Sequence, residues 1–482
     1  MNKKISVYNI LCWLNFLILI LLLYTYSNVG DNMYVNEHTI LLNVVLIIIT
    51  HIVLRNARST ANPLLLLLSF FIIIFYELRV VTLNYTEFSM VLNRADVYKD
   101  GINNTLLYVI VAYCVLSFSL VFNFERVKRC IPERQYVIRK RATTNILVLL
   151  YISLVLSALA AYHIPYIEQI VSIASTFFFN IFTMMALSVV AFVYIERVPR
   201  KTIIAFIVFC LLYILIFTIV GRRSSLFSVV TTLLMVCLLF GYTRIKAKYV
   251  ISALFLVPIM MFIFVFATLA RAMDAKNMDK QDQIELIKRS SDKFSTDDAK
   301  LFLSPIFDRI GYLDYTTEMV CNRDHLSHFL TPQNYFKSIV DNVLTPGFDV
   351  FGIPRISNVI SKSYSHRNGS PVTKKEAAED YKSDILTLFG EVYVVFGFIL
   401  CFFVLAAIGA FIKNMYCRQQ HIDSIRALWI QSLILGLFYN LIQSFGFDWV
   451  AIDIVSAIIN FYIFKKIVLK RSVVPYSGRN AY

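Results

Sequence analysis

Apolar residues in this chain come in long, nearly unbroken blocks, not at the short intervals of a soluble helix or strand. A helix needs about 20 mostly apolar residues to cross a hydrocarbon layer. Twelve blocks approach that length: Ile5 to Tyr26, Thr39 to Leu54, Pro63 to Leu83, Thr105 to Phe124, Asn145 to His163, Ile170 to Tyr194, Thr202 to Val220, Ser225 to Tyr242, Tyr249 to Ala270, Val392 to Ile412, Ala427 to Phe447 and Trp449 to Phe464. The pattern predicts an all-α polytopic membrane protein of about 12 transmembrane helices. The first block is too long for a cleaved signal and lacks a small-residue cleavage motif, so it reads as an uncleaved first span.

One polar interval is out of proportion. About 120 residues between Arg271 and Glu391 mix 16 Lys+Arg with 18 Asp+Glu and hold no block long enough to span. The chain therefore divides into helices 1–9 (1–270), a large loop domain (271–391), helices 10–12 (392–464) and a tail (465–482). Inside the loop, "PIFDRIGYLDY" sets Ile306, Phe307, Ile310 and Leu313 on one face. "QNYFKSIVDNVL" does the same with Phe336, Ile339, Val340 and Val343. This spacing predicts short amphipathic helices that lie on the membrane face or pack together. "LTPGFDVFGIPR" predicts a structured turn, "SYSHRNGSPVTKKE" a polar tip, and "SDILTLFGEVYVVFGFIL" the return into the membrane.

Composition agrees: 58% of the 482 residues are hydrophobic, 15% aromatic and only 16% charged. The net charge of +15 has a topological cause. With an internal N-terminus, the internal segments hold 25 of the 46 Lys+Arg, seven of them within "ERVKRCIPERQYVIRKR". Both termini are therefore expected on the cytoplasmic side and the large loop outside. Nucleic-acid binding need not be invoked. Of eight cysteines only Cys321 falls in a segment placed outside, so no disulfide framework is expected there.

Walker loops, GxGxxG, HExxH and CxxC are absent, as is a DxD-type metal site in the loop. No cofactor or metal is expected, and any donor substrate is not a nucleotide. What remains is a set of charges near the outer boundary. Arg222 and Arg223, in "FTIVGRRSSLFSVV", form the tip of a hairpin between two apolar blocks. They anchor the turn or, with the following serines and helix N-terminus, form a diphosphate clamp. Arg271 lies at the same level. For a general base the choice is between His366 in the polar tip and Glu391 at the membrane re-entry, which alternatively pairs with Lys382. Arg309 and Arg355 are candidate sugar or phosphate contacts, and Tyr312, Tyr315, Tyr335 and Tyr364 offer flat surfaces for sugars. Glu77, Arg79 and Asp453 lie toward the outer ends of their spans, where snorkelling accounts for them.

A dozen spans, a Gly-Arg-Arg-Ser outer hairpin, one large late loop and the exit "DILTLFGEVYVVFGF" together resemble the O-antigen polymerases, the repeat-unit polymerases called Wzy. The exit is similar to the family's pattern at Phe389, Gly390, Glu391, Tyr393, Phe396 and Gly397. The RX10G arginine pattern described for some members is not met at Arg309 or Arg355, so that scheme is not carried over.

The resemblance implies a GT-C-like fold and a glycosyltransferase in the bacterial inner membrane, acting at the periplasmic face. It would pass a growing glycan from undecaprenyl diphosphate to the sugar end of a new undecaprenyl-diphosphate-linked repeat unit. Membrane lipid, a chain-length regulator and a flippase are the implied partners. An O-antigen ligase, and a flippase or transporter of the lipid-linked unit, are the competing readings. A transporter would show repeated halves or interrupted, charged helices near mid-membrane.

Overall fold

The computed structural model describes residues 4–87, 97–124, 142–161, 167–195, 198–219, 311–344, 350–363, 387–420, 425–443 and 446–470, together with Ser89, 91–92, 137–138, 244–246 and scattered positions from 229 to 239. Among the described residues, nine helices are long and apolar enough to cross a membrane. They are α1 (Val7–Val29), α2 (Glu37–Thr60), α3 (Pro63–Thr86), α4 (Lys99–Val121), α5 (Ala142–Ala161), α6 (Glu168–Tyr194 with a break), α7 (Arg200–Ile219), α12 (Leu388–Gln420) and α13 (Ile425–Gln443). They coincide with predicted spans one to seven, ten and eleven. Predicted span twelve falls in α14 (Gly446–Val468), which also carries Asp453, Lys465 and Lys466. Spans eight and nine lie almost wholly outside the described residues.

Helix starts follow local chemistry. Asn36 and Thr39 form a reciprocal capping box at α2, and Asn62 accepts from the Leu64 and Leu65 amides just before Pro63 opens α3. α3 is the most enclosed of the nine, with 83% of its central window buried against 22% for α7. It is the axis around which α1, α2, α4 and α13 pack.

Helix direction alternates. The Lys99 amide at the start of α4 donates to the Met33 carbonyl in the α1–α2 connection, and Arg58 near the end of α2 reaches Asn9 near the start of α1. Two short antiparallel pairings close one end of the bundle. β1 (Lys4–Ser6) pairs with β3 (Arg244–Lys246), and β2 (Val137–Ile138) with β4 (Leu469–Lys470). At the opposite end sit the loop elements: α8 (Tyr312–Cys321), α9 (Arg323–Leu326), α10 (Pro332–Ile339, continued by a π turn Val340–Leu344) and α11 (Ile356–Ser363).

These loop helices are packed, not spread on a surface. α8 lies against α4 and α12, and α10 with its π turn against α14. In α10 and its π turn the expected apolar face is covered only in part: Val343 is buried with Ile339 packed beside it, but Phe336 is exposed while Tyr335, Ser338 and Asp341 are buried. From Val340 onward the helix takes π geometry, which shifts the phase of the residues that follow, Asp341 included. Asp341 has a structural task there. Its carboxylate accepts the amides of Val350, Phe351 and Ile353 at 3.0–3.1 Å, folding the Gly-Pro-rich turn around it.

Candidate functional site

α8 is an unusual helix for a loop: Tyr312 through Met319 are all buried, two acids and two threonines included. Polar groups at such depth need partners. Asp314 finds Arg79 on α3. Arg79 Nε donates to Asp314 Oδ1 at 3.0 Å and Nη2 to Oδ2 at 2.5 Å, and neither side chain has any exposure. Ser89 Oγ adds a hydrogen bond to Oδ2 at 2.6 Å, and Arg79 Nη1 reaches Thr82 Oγ1 at 3.4 Å. Arg79 is thus enclosed by protein, and the snorkelling expected from its position near a span end is corrected. Glu77 is likewise buried, taking a hydrogen bond from Asn15. Both follow or end a π turn, Ile73–Glu77, which adds a residue to α3 at this level.

A second chain of hydroxyls ties the same helix down. Tyr76 Oη and Thr316 Oγ1 lie 2.9 Å apart, and Thr316 Oγ1 and Thr387 Oγ1 2.8 Å. Thr387 then accepts the Gly390 amide, opening α12. Phe71 and Phe75 wedge Tyr312 at ring distances of 5.3 and 4.4 Å.

The loop-exit motif is the receptor for this helix. A Cβ at Gly390 would stand 2.7 Å from Met319 Sδ and 3.0 Å from Met319 Cβ, so α8 approaches α12 only because position 390 has no side chain. The Phe389 carbonyl accepts the Tyr108 hydroxyl at 2.7 Å, and Tyr393 stands edge-on to Tyr108. Gly397 breaks α12 with φ 77° and ψ 175°, a conformation open essentially to glycine alone. The Arg323 guanidinium fills the break: a Cβ at Gly397 would lie 3.0 Å from Nη2. Arg323 keeps 43% of its side chain exposed, while its Nε is buried with no hydrogen-bond partner among the described residues. Just past the break, Phe398, Ile399, Leu400 and Phe403 are exposed apolar residues on a helix long enough to span.

The family description O-antigen polysaccharide polymerase Wzy matches residues 9–472, nearly the whole chain. The chain belongs to the Wzy family. Family membership makes it a multi-pass membrane protein with a polymerase activity on lipid-linked oligosaccharide repeat units. No curated protein and no solved structure matches it significantly.

The residues expected to serve a Wzy reaction fall in two groups. Arg222, Arg223, Arg271, Arg309 and His366 lie outside the described residues, as do Tyr364 and Lys382. Glu391 is buried in the first turn of α12, one residue after the close approach at Gly390. Arg355 is half-buried just ahead of α11, where its carbonyl accepts the Asn358 and Val359 amides. Tyr312, Tyr315 and Tyr335 are buried and so present no surface to a sugar. His325 is held by the Ser363 carbonyl at 3.0 Å, and no group of three metal-binding side chains occurs among the described residues. Arg323 was missed by sequence reasoning. Its signal is indirect: Gly397 marks a backbone break, and something must fill it.

Proposed function

We propose that this Wzy protein transfers a growing glycan from undecaprenyl diphosphate to the sugar end of a new undecaprenyl-diphosphate-linked repeat unit, with the α8 end of the bundle facing the periplasm. The orientation rests on charge: the segments joined by the two strand pairs belong to the Lys- and Arg-rich connections, which are retained inside.

In the reaction the acceptor hydroxyl oxygen bonds to the anomeric carbon and the bond from that carbon to the diphosphate oxygen breaks. The hydroxyl proton goes to a base, Glu391 or His366, and the electron pair leaves on the lipid diphosphate. Charge developing on that leaving group is where fixed cations act most strongly. Arg222, Arg223 and Arg271 are assigned to it, with Arg309 and Arg355 toward the sugars or the second diphosphate.

The observation that carries the reading is Arg323 in the Gly397 break. A guanidinium with 43% of its side chain exposed sits where an exposed apolar ridge begins, which suits a ligand with an anionic head and a hydrocarbon tail. Arg323→Ala should lower the polymerisation rate about a hundredfold, roughly 3 kcal/mol, and Arg323→Lys should rescue poorly because the planar fork matters. The surface-glycan ladder of a deletion strain carrying each variant, at equal membrane abundance, reads this out. A normal ladder from Arg323→Ala would remove the diphosphate from this position. A deletion strain showing no glycan at all, in place of a single repeat unit, would favour ligation or flipping over polymerisation.

A further inference from the structure

α6 is interrupted inside its span. Phe179 (φ −134°, ψ 47°) and Asn180 (φ −61°, ψ 116°) leave helical geometry between the π turn Ala174–Phe178 and the half-helix Ile181–Tyr194. Asn460 of α14 staples the break, its Oδ1 accepting the Asn180 amide at 3.2 Å and its Nδ2 donating to the Phe177 carbonyl at 2.9 Å. Non-helical backbone at membrane depth persists where it is covered by protein or lines a polar cavity.

Here it lines one. A cavity of about 60 Å³ lies between α6, α13 and α14, bordered by Asn180, Thr183, Ser432, Asn440 and Asp453 among apolar residues. Asp453 takes one hydrogen bond, from Asn440 Nδ2 at 2.8 Å, and among the described residues no Lys or Arg pairs with it. Ser432 is 2% exposed and its Oγ has no hydrogen-bond partner among the described residues. A serine within a helix ordinarily returns its hydroxyl to the carbonyl a turn earlier. This one does not, and its residue lines the cavity wall.

We propose that this cavity binds one monovalent metal cation, held by the Asp453 carboxylate and the Ser432 hydroxyl, with side-chain oxygens of the Asn180–Thr183 cap and water completing the shell. An all-oxygen set suits a hard cation. One carboxylate balances one positive charge, so a monovalent ion leaves the site neutral in the membrane, whereas a divalent ion leaves a net charge there. At about 30 Å³ per water, the space holds an ion with a water beside it. The ion would tie the α6 break to α13 and α14 directly beneath the Phe177–Val343–Ile452 contact that seats the end of the α10 π turn.

Thermal unfolding of the purified full chain, at constant ionic strength with N-methylglucamine chloride replaced stepwise by sodium, lithium or potassium chloride, tests this. One of the three should raise the wild-type midpoint saturably, by about 2 °C or more at a hundredfold excess over its Kd. Asp453→Asn should abolish the response. Ser432→Ala, which keeps the carboxylate and the fold, should need roughly tenfold more cation. A wild-type midpoint flat in all three salts, or an unchanged response in Asp453→Asn, overturns the proposal. If Asp453→Asn yields no folded protein, an unchanged cation requirement in Ser432→Ala overturns it. The readout is binding and not glycan synthesis, so its failure leaves the polymerase reading untouched.

Discussion

Two carboxylates within the same bundle, Asp314 buried and Asp453 half-buried, are handled in opposite ways. Asp314 is met by an arginine fork, a serine and a tightly packed helix, with no space left around it. Asp453 is met by one amide and a cavity that also holds an unpartnered hydroxyl. A charge at membrane depth must be compensated. Where the chain supplies the counter-charge, the contact locks an element in place; where it does not, room is left for something that comes and goes. The first device joins the loop domain to α3, and the second lies where α6 is interrupted.

The comparison is sharpest when each acid is removed. Asp314→Ala leaves Arg79 buried and bare, which should cost about 3–5 kcal/mol and most of the folded protein in a detergent gel-filtration assay. Adding Arg79→Met should restore much of it, because an apolar pair avoids the desolvation penalty. Asp453→Asn, measured without sodium, lithium or potassium, should cost far less. Equal losses at the two positions would show that both acids serve the same structural end, and the contrast would fall.

Packing gives the next effect. Gly390→Ala drives a methyl into Met319 and should destabilise by about 1–3 kcal/mol, seen as a lowered midpoint and a loosened α8. A compensating Met319→Ala should recover part of that loss, since it removes the sulfur at 2.7 Å while leaving Thr387 Oγ1 at 2.8 Å and its own Cβ at 3.0 Å.

The smallest effect reports on α8 directly. Desolvation pushes the Cys321 thiol, at the end of α8, above its ordinary value. With Cys321 as the sole cysteine, a membrane-impermeant maleimide should label intact spheroplasts slowly, because little thiolate is present at neutral pH. Gly390→Ala should raise the rate several-fold by loosening α8 against α12. No labelling in either chain, with labelling after lysis, would reverse the orientation proposed above.

The spans were readable because hydrocarbon thickness forces long apolar blocks, and nine of them are helices where the blocks predict. The placement of α8 was not readable. "YLDYTTEMVC" has the composition of a half-exposed helix, and only a partner 235 residues upstream makes its burial tolerable. Snorkelling was a reasonable reading of Arg79 for the same reason: the sequence carries no sign of which acid comes to meet it. Glycines were better guides. Phe389, Gly390 and Gly397 of the exit pattern all have identifiable tasks in seating α8 and Arg323. The residues assigned to the diphosphate at the 222–223 hairpin and at Arg271 lie outside the described residues.

The distance between Arg79 and Asp314 along the chain also sets a schedule. With 235 residues between them and translation at about 5–20 residues per second, the third span waits roughly 10 to 50 s for its counter-charge. During that interval it must be held in the bilayer by its own hydropathy against an arginine penalty of up to about 2.5–3.5 kcal/mol. The early bundle is therefore a provisional assembly, made final only when the loop arrives. A ribosome-bound chain stopped before residue 312 should accordingly present this span to crosslinkers in the insertion machinery, and one extended past residue 400 should not.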